Sequence, residues 1–394
     1  MTEKRFAYID LLKAQSILSP EREAVLRASG TLVMRNPDRP LTPENIFNIY
    51  ALASGNFMGI PFSPDKLRER GFQVPEPIGR LPNNELYQKW STNPLTDTTI
   101  FDSSIHTADA VRSAKTKDFS VRLRDAFDAE HPWAVDFTNE SELVGRFGYL
   151  EKENNLISVR RFEMLADLAK HGIESAIEEK GHATVVDIGS GTFSLERALI
   201  ARLTPEQRRK TTLIGVDVAG DLLRYGLDQD YIDQGVRIDL SQKTTADDYK
   251  EFFPEVDVAI FSEILEHIPH VGVYFNKVIA PWLKHNNAFL IGSVPNPIKL
   301  GDYFSLITGM DSLNVLRKPI FDEKNDHYSH FTAPSLAELL TNADGSQESG
   351  ITSPAVPLDK HGEVCDLFAG LDYPAMGYGL IFWSQYKNEQ NGKD

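Results

Sequence analysis

A single cysteine, Cys365, occurs in 394 residues, so no intrachain disulfide can form and no cluster of thiolate metal ligands can be built. No run of ~18 consecutive apolar residues occurs, and no transmembrane helix is expected. The opening stretch MTEKRFAYIDLLKAQS carries charges where a signal peptide needs an apolar run, so a cytoplasmic location is expected. Basic residues are in deficit: 41 Lys and Arg against 57 Asp and Glu give a formal charge of −16. Polyanions and anionic membranes are held by clustered Lys and Arg. Neither nucleic acid nor a membrane is therefore expected as a partner. Internal repeats and low-complexity tracts are also lacking.

What is present is ordinary globular material, with 41% hydrophobic and 25% charged residues, enough for a large core. The length suggests two parts. Residues 1–150 read as a mainly helical and irregular domain. Helical patches (IDLLKAQSIL, EREAVLRASG, and LTPENIFNIYALA with Thr42 as N-cap) precede a stretch punctuated by Pro and Asn. No motif with a mechanism falls there, and a cap over an acceptor pocket is its expected role, since domain interfaces commonly hold ligands. Residues 151–394 alternate regularly between strands and helices, from the amphipathic ISVRRFEMLADLAKHGIESAIEE onward. That alternation specifies an α/β fold with right-handed crossovers: a Rossmann-like, mostly parallel sheet with helices on both faces. The closing strands ITSPAVPL and GYGLIFWSQYK are expected to form a hairpin-like sheet edge. An aromatic-rich insertion at 297–330 is expected to be a substrate lid.

The stretch TVVDIGSGTFSLERALI (184–200) is a strand running into a glycine turn and a helix. It lacks the third glycine of a dinucleotide turn and the lysine of a phosphate-cradling loop. The predicted strand ends are acidic: Asp187, Asp217, Asp239 and Glu263. Such a row repels phosphates and suits ribose hydroxyls, an adenine amino group and a cationic centre. Asp217 is placed to accept from ribose hydroxyls and Asp239 from the adenine amino group, while Gly189 and Gly191 allow close approach of an amino-acid tail.

VVDIGSGT, GVDVA, IDLS, DVAIFSEILEHI and AFLIGSVPNP, in this order and spacing, resemble the class I S-adenosylmethionine-dependent methyltransferases. Phe193 stands where that family has its last glycine. The resemblance implies an enzyme that uses S-adenosyl-L-methionine. It carries the cofactor contacts onto Asp187, Gly189, Ser190, Gly191, Asp217, Asp239, Leu240, Ser262 and Glu263.

After the fourth strand, SEILEHIPH places Glu263, Glu266 and His267 at i, i+3 and i+4, one face if the turn is helical. DHYSHFTAPSL later supplies His327 and His330, with Thr332 or Ser335 as the next helix's N-cap. A Glu-x-x-Glu-His run with a distant His can ligate a divalent cation. It is similar to patterns in small-RNA 3′-terminal 2′-O-methyltransferases and quinone-biosynthesis O-methyltransferases. That similarity carries metal ligands onto Glu263, Glu266, His267 and His330, for Mg²⁺ or Mn²⁺. Without a metal, His267, His330 and Glu266 are the catalytic candidates. His270 and His327 read as surface residues, and Cys365 as a core or loop residue. The expected activity is O-methylation of a small molecule such as a sugar, polyketide or phenolic secondary metabolite. An RNA 3′-terminal 2′-O-methyltransferase and a non-catalytic binding module are the alternatives, and a homodimer stays open.

Overall fold

TVVDI, TTLIGV and VAIF are continuous apolar runs rich in β-branched residues, the composition of strands covered on both faces. They form the centre of the sheet. The computed structural model describes residues 56, 57, 60, 61, 85, 86, 90, 112–125, 156–239, 245–296, 327–354 and 379–388. Most of residues 1–150, Leu240, Cys365 and residues 297–326 of the expected lid lie outside the described residues. The chain divides into two compact units: residues 1–76, 296–325 and 352–380, and residues 77–295, 326–351 and 381–394. In the first, β1 (Asn56–Phe57) and β2 (Ile60–Pro61) pair as a short antiparallel hairpin.

The second unit carries nearly all of an eight-stranded mixed sheet. In chain order its elements are β3 (Leu123–Asp125), α1 (Leu156–Lys180), β4 (Ala183–Ile188), α2 (Ser194–Ile200), α3 (Pro205–Arg209), β5 (Thr211–Asp217) and α4 (Gly220–Asp228). Then follow β6 (Gln234–Arg237), α5 (Ala246–Phe252), β7 (Val258–Ser262), α6 (Val271–Tyr274), α7 (Ala280–Asn286), β8 (Phe289–Pro295), α8 (Ala333–Thr341), β9 (Ser346–Thr352) and β10 (Gly379–Tyr386). The strand order is β3-β6-β5-β4-β7-β8-β10-β9. Strands β3 to β8 pair in parallel. The Tyr386 N–H at the end of β10 donates to the Ala288 carbonyl just before β8 (3.0 Å), so β10 runs antiparallel to it. Successive strands step outward from β4 through β5 to β6, and then from β7 to β8 on the other side. The order therefore reverses between β4 and β7, and the crevice beyond the carboxyl ends there is where open α/β sheets bind ligands.

Three details depart from the sequence expectation. Residues 112–125 add an edge strand parallel to β6, although only three residues long and half exposed. The segment is fixed by Lys115 on the buried carboxylate of Asp221 (2.8 Å), by Lys117 on Asp228, and by Arg122 donating to the Ile232 and Asp233 carbonyls. β9 starts at Ser346, five residues before the apolar stretch that marked it, because its first half is polar and solvent-facing. α6 and α7 are joined by a π-helical turn, Phe275–Ile279, ahead of Pro281. Thr332 is the N-cap of α8, and Ser335 completes its capping box.

Phe193 sits at the N-cap of α2 with φ 63°, a left-handed conformation that costs an L-residue ~1–2 kcal/mol. Its fully buried ring offsets that cost. The ring packs near Tyr225 and Tyr231 and over two glycines: a Cβ on Gly226 would lie 2.5 Å from Phe193 Cζ, and one on Gly215 would lie 3.2 Å from Cε1. The large residue at the helix start is thus matched by missing side chains opposite. Inside a helix, Gly→Ala ordinarily stabilises by ~1 kcal/mol. At Gly226 the overpacking reverses the sign, and Gly226→Ala is expected to cost ~1–3 kcal/mol in chemical denaturation, with part regained when Phe193→Leu is added. A Gly226→Ala protein as stable as the parent would contradict this packing.

Candidate active site

The turn after β4 is built on glycine because it needs left-handed backbone: φ is 78° at Gly189 and 54° at Gly191. A Cβ at Gly189 would also lie 2.9 Å from Ile264 Cδ1, so this turn packs directly on the one that follows β7. The amides of the turn donate inward. The Gly189 and Ser190 N–H groups both donate to the Val216 carbonyl (2.8 and 3.0 Å). The Gly191 N–H donates to Asp217 Oδ2 (2.9 Å), while Asp217 Oδ1 accepts from the Ala219 N–H (2.8 Å). A phosphate cradle works by aiming such N–H groups at the anion. Here all three are engaged by β5.

Asp217 therefore braces the turn, and these bonds use two of the roughly four acceptor positions of a carboxylate. Ser190 is buried, with its hydroxyl 3.4 Å from the Val216 carbonyl. Asp239 stands half-buried just beyond β6. Asp187, at the end of β4, and Glu196, in the first turn of α2, are both buried. Asp187 and Glu196 share a side-chain hydrogen bond. Burial above all raises both pKa values: Asp187 to about 6, with a hydrogen bond to Glu196 working against the rise and the Asp217 charge adding to it, and Glu196 well above its ordinary value, with Asp187 and Asp217 adding to the rise.

The Glu-x-x-Glu-His run does not form one helical face. Glu263 has φ 54°, so the chain turns through a left-handed residue before the 3₁₀ turn Leu265–His267 begins. Its carboxylate accepts from Ser293 Oγ (2.9 Å) and pairs with Arg161 (3.3 Å), and Ser262 Oγ lies 3.1 Å from Ser293 Oγ. Glu266 is directed elsewhere. Its backbone carbonyl accepts from the Tyr328 and Ser329 N–H groups (2.8 and 3.1 Å), which brings the histidine segment alongside. Potential ligand atoms of Glu266, His267 and His327 all lie within 4.8 Å of one another. The His267 and His327 rings meet edge to face, their centroids 4.7 Å apart. His327, expected at the surface, and not the expected His330, is the histidine that closes the cluster. His330 is exposed, 6.5 Å from the His327 ring, and partial desolvation lowers its pKa. His270 is exposed. The cluster is thus Glu266, His267 and His327, with Glu263 in a separate group.

No family model and no curated protein matches the chain. Among solved structures it is similar to the CurJ carbon methyltransferase, at 13% identity and TM-score 0.41, over 98% of this chain and 99% of that one. It is also similar to magnesium protoporphyrin IX methyltransferase from Synechocystis PCC 6803 with bound SAH, at 15% identity and TM-score 0.33, over 62% and 95% of the two chains. The DszA carbon methyltransferase matches at 12% identity and TM-score 0.36, over 58% of this chain, which spans only 54% of that protein. At TM-scores under 0.5 these likenesses carry no argument about activity, which rests on the geometry above.

The acid pair yields a prediction. A carboxyl whose folded pKa is raised costs nothing below its unfolded value and lowers stability as pH rises from that value toward the folded pKa. Glu196→Gln removes this cost. The variant is expected to be more stable than the parent at pH 7.5, with the gain shrinking toward pH 4. Denaturation curves at the two pH values check this, and a pH-independent difference would contradict it.

Proposed function

We propose that this chain is an S-adenosylmethionine-dependent methyltransferase that methylates a hydroxyl of a small molecule. The observation that carries the reading is the glycine turn at the switch point, whose amides are all satisfied internally and whose neighbours are acidic. Phosphate-rich nucleotides are disfavoured by such a site. A ligand with a ribose, an adenine amino group and a sulfonium is matched by it. In this reading Asp217 accepts from the ribose hydroxyls and Asp239 from the adenine amino group, and Gly189 leaves the path of the tail clear.

When bound, S-adenosylmethionine supplies an electrophilic methyl group on a sulfonium. The protein's part is to place the acceptor oxygen and hold its proton. The Glu266–His267–His327 cluster follows directly on the turn that packs against Gly189 and supplies groups for both tasks. His330, whose pKa is lowered by desolvation, is a further base candidate. One carboxylate and two imidazoles also form a donor set suited to Mn²⁺ or Mg²⁺. Glu266, His267 and His327 would hold the ion, which would lower the pKa of an acceptor hydroxyl. The excess of 57 acidic over 41 basic residues favours a small acceptor over an RNA terminus.

Two measurements test this. Asp217→Ala is expected to weaken S-adenosylmethionine by ~1–3 kcal/mol in calorimetry, because a charged acceptor and the brace of the turn are lost together. Equal affinity would remove Asp217 from the site. Exhaustive chelation is expected to abolish transfer to small hydroxylated metabolites while cofactor binding persists, and His327→Ala to lose activity that excess Mn²⁺ partly restores. Undiminished transfer after chelation would leave the histidines as metal-free bases, and faster transfer to RNA 3′ ends would reverse the substrate assignment.

A further inference from the structure

Glu196 has no role in the site described so far. It is nevertheless 2% exposed and shares a side-chain hydrogen bond with Asp187, which is 4% exposed. Asp187 lies opposite Gly215 on β5 and Ile260 on β7, so it is the acid at the switch point itself. Glu196 reaches it from the first turn of α2. A hydrogen bond between two carboxyl groups exists only while one of them carries a proton. The neighbouring charges give the pair no relief. Asp217 on β5 adds a third negative charge. On α1, which packs against α2, Glu163 and Asp167 are paired with Arg160 and Arg202. Arg197 of α2 lies over the Tyr231 ring, and Glu263 beyond β7 is paired with Arg161. Among the described residues no Lys, Arg or His forms an ion pair with Asp187 or Glu196. Buried carboxyl groups without a cation cost stability. A ligand that brings a positive charge into the crevice changes that balance.

Resting on the cofactor reading above, we infer that Glu196 and Asp187 hold one proton between them, which leaves when the cationic cofactor binds and returns with the neutral product. Methyl transfer turns a sulfonium into a sulfide, so the bound ligand loses one positive charge. A positive charge in the crevice favours the ionised pair, and the ionised pair favours the cation in return. Proton and sulfonium therefore exclude one another. The neutral sulfide offers no such exchange, and the pair takes its proton back from solvent. Glu196 acts through Asp187 as a positioning residue: it sets the charge of the crevice and so favours cofactor over product. The sign follows from linkage. With the sulfonium bound the pair ionises at lower pH than without it, so S-adenosylmethionine gains affinity relative to S-adenosylhomocysteine as pH rises. The interval lies above about 6, the value to which Asp187 is raised.

Calorimetry on the full chain tests this with S-adenosylmethionine and S-adenosylhomocysteine at pH 6.5 and 8.5, in two buffers of different ionisation enthalpy that count the protons released. The comparison protein is Glu196→Gln, whose amide can donate to Asp187 and keep it ionised. The ligands' own amino groups titrate alike against parent and variant, so the difference between the two proteins isolates the pair. In the parent, the affinity ratio of S-adenosylmethionine to S-adenosylhomocysteine is expected to rise about threefold or more over this range beyond any rise in Glu196→Gln. Extra proton release with S-adenosylmethionine is expected in the parent alone. The same pH dependence and the same proton count in both proteins would overturn the inference and leave Glu196 a structural residue. A parent that binds neither ligand would remove the cofactor reading itself, and the inference with it.

Discussion

The hydrogen bonds from the glycine turn to the end of β5 determine most of what the ligand end of this sheet can do. Val216 accepts from two successive amides and Asp217 from a third. Those bonds need left-handed backbone at positions 189 and 191, which is why glycine stands there. They close the turn tightly enough for Ile264 to lie against Gly189, and so they set the position of the turn after β7. They also remove from the turn the anion-binding amides that glycine-rich turns elsewhere offer to phosphate.

Charge follows from the same geometry. Parallel strands that end level with one another bring their terminal acids together, and the molecule contains that repulsion in different ways. Asp217 accepts from backbone amides, Glu263 pairs with Arg161, and burial raises the pKa of Glu196. A cationic or donor-rich ligand relieves what remains. The histidine cluster lies one turn beyond, where β7 gives way to the 3₁₀ turn, so the groups suited to handling an acceptor's proton follow in sequence directly on those suited to the cofactor.

The central strands and the acidic row were legible in the sequence because both are local signals: apolar β-branched runs, and the residue at which each run stops. Other features depended on contacts that no local pattern encodes. The brace role of Asp217 requires β5 to lie beside β4. The left-handed turn at Glu263 breaks the expected i, i+3, i+4 face, and nothing in SEILEH announces it, since Glu carries no preference for that conformation. His327 joins Glu266 because backbone bonds to the Glu266 carbonyl bring a distant segment alongside, whereas the sequence favoured His330. Strand β3 is too short and too exposed to alternate visibly. Phe193, which broke the glycine pattern, is explained by Gly215 and Gly226, and these lie 22 and 33 residues away in the chain.

The central claim is that the switch-point turn is built for an adenosyl ligand with an amino-acid tail and not for a phosphate-bearing one. Thermal unfolding of the full chain with S-adenosylhomocysteine, ATP and NAD tests it most directly. Stabilisation by S-adenosylhomocysteine alone is predicted, reaching ~2.7 kcal/mol at one hundred times its dissociation constant. Stabilisation by ATP or NAD, with no effect of S-adenosylhomocysteine, would contradict it.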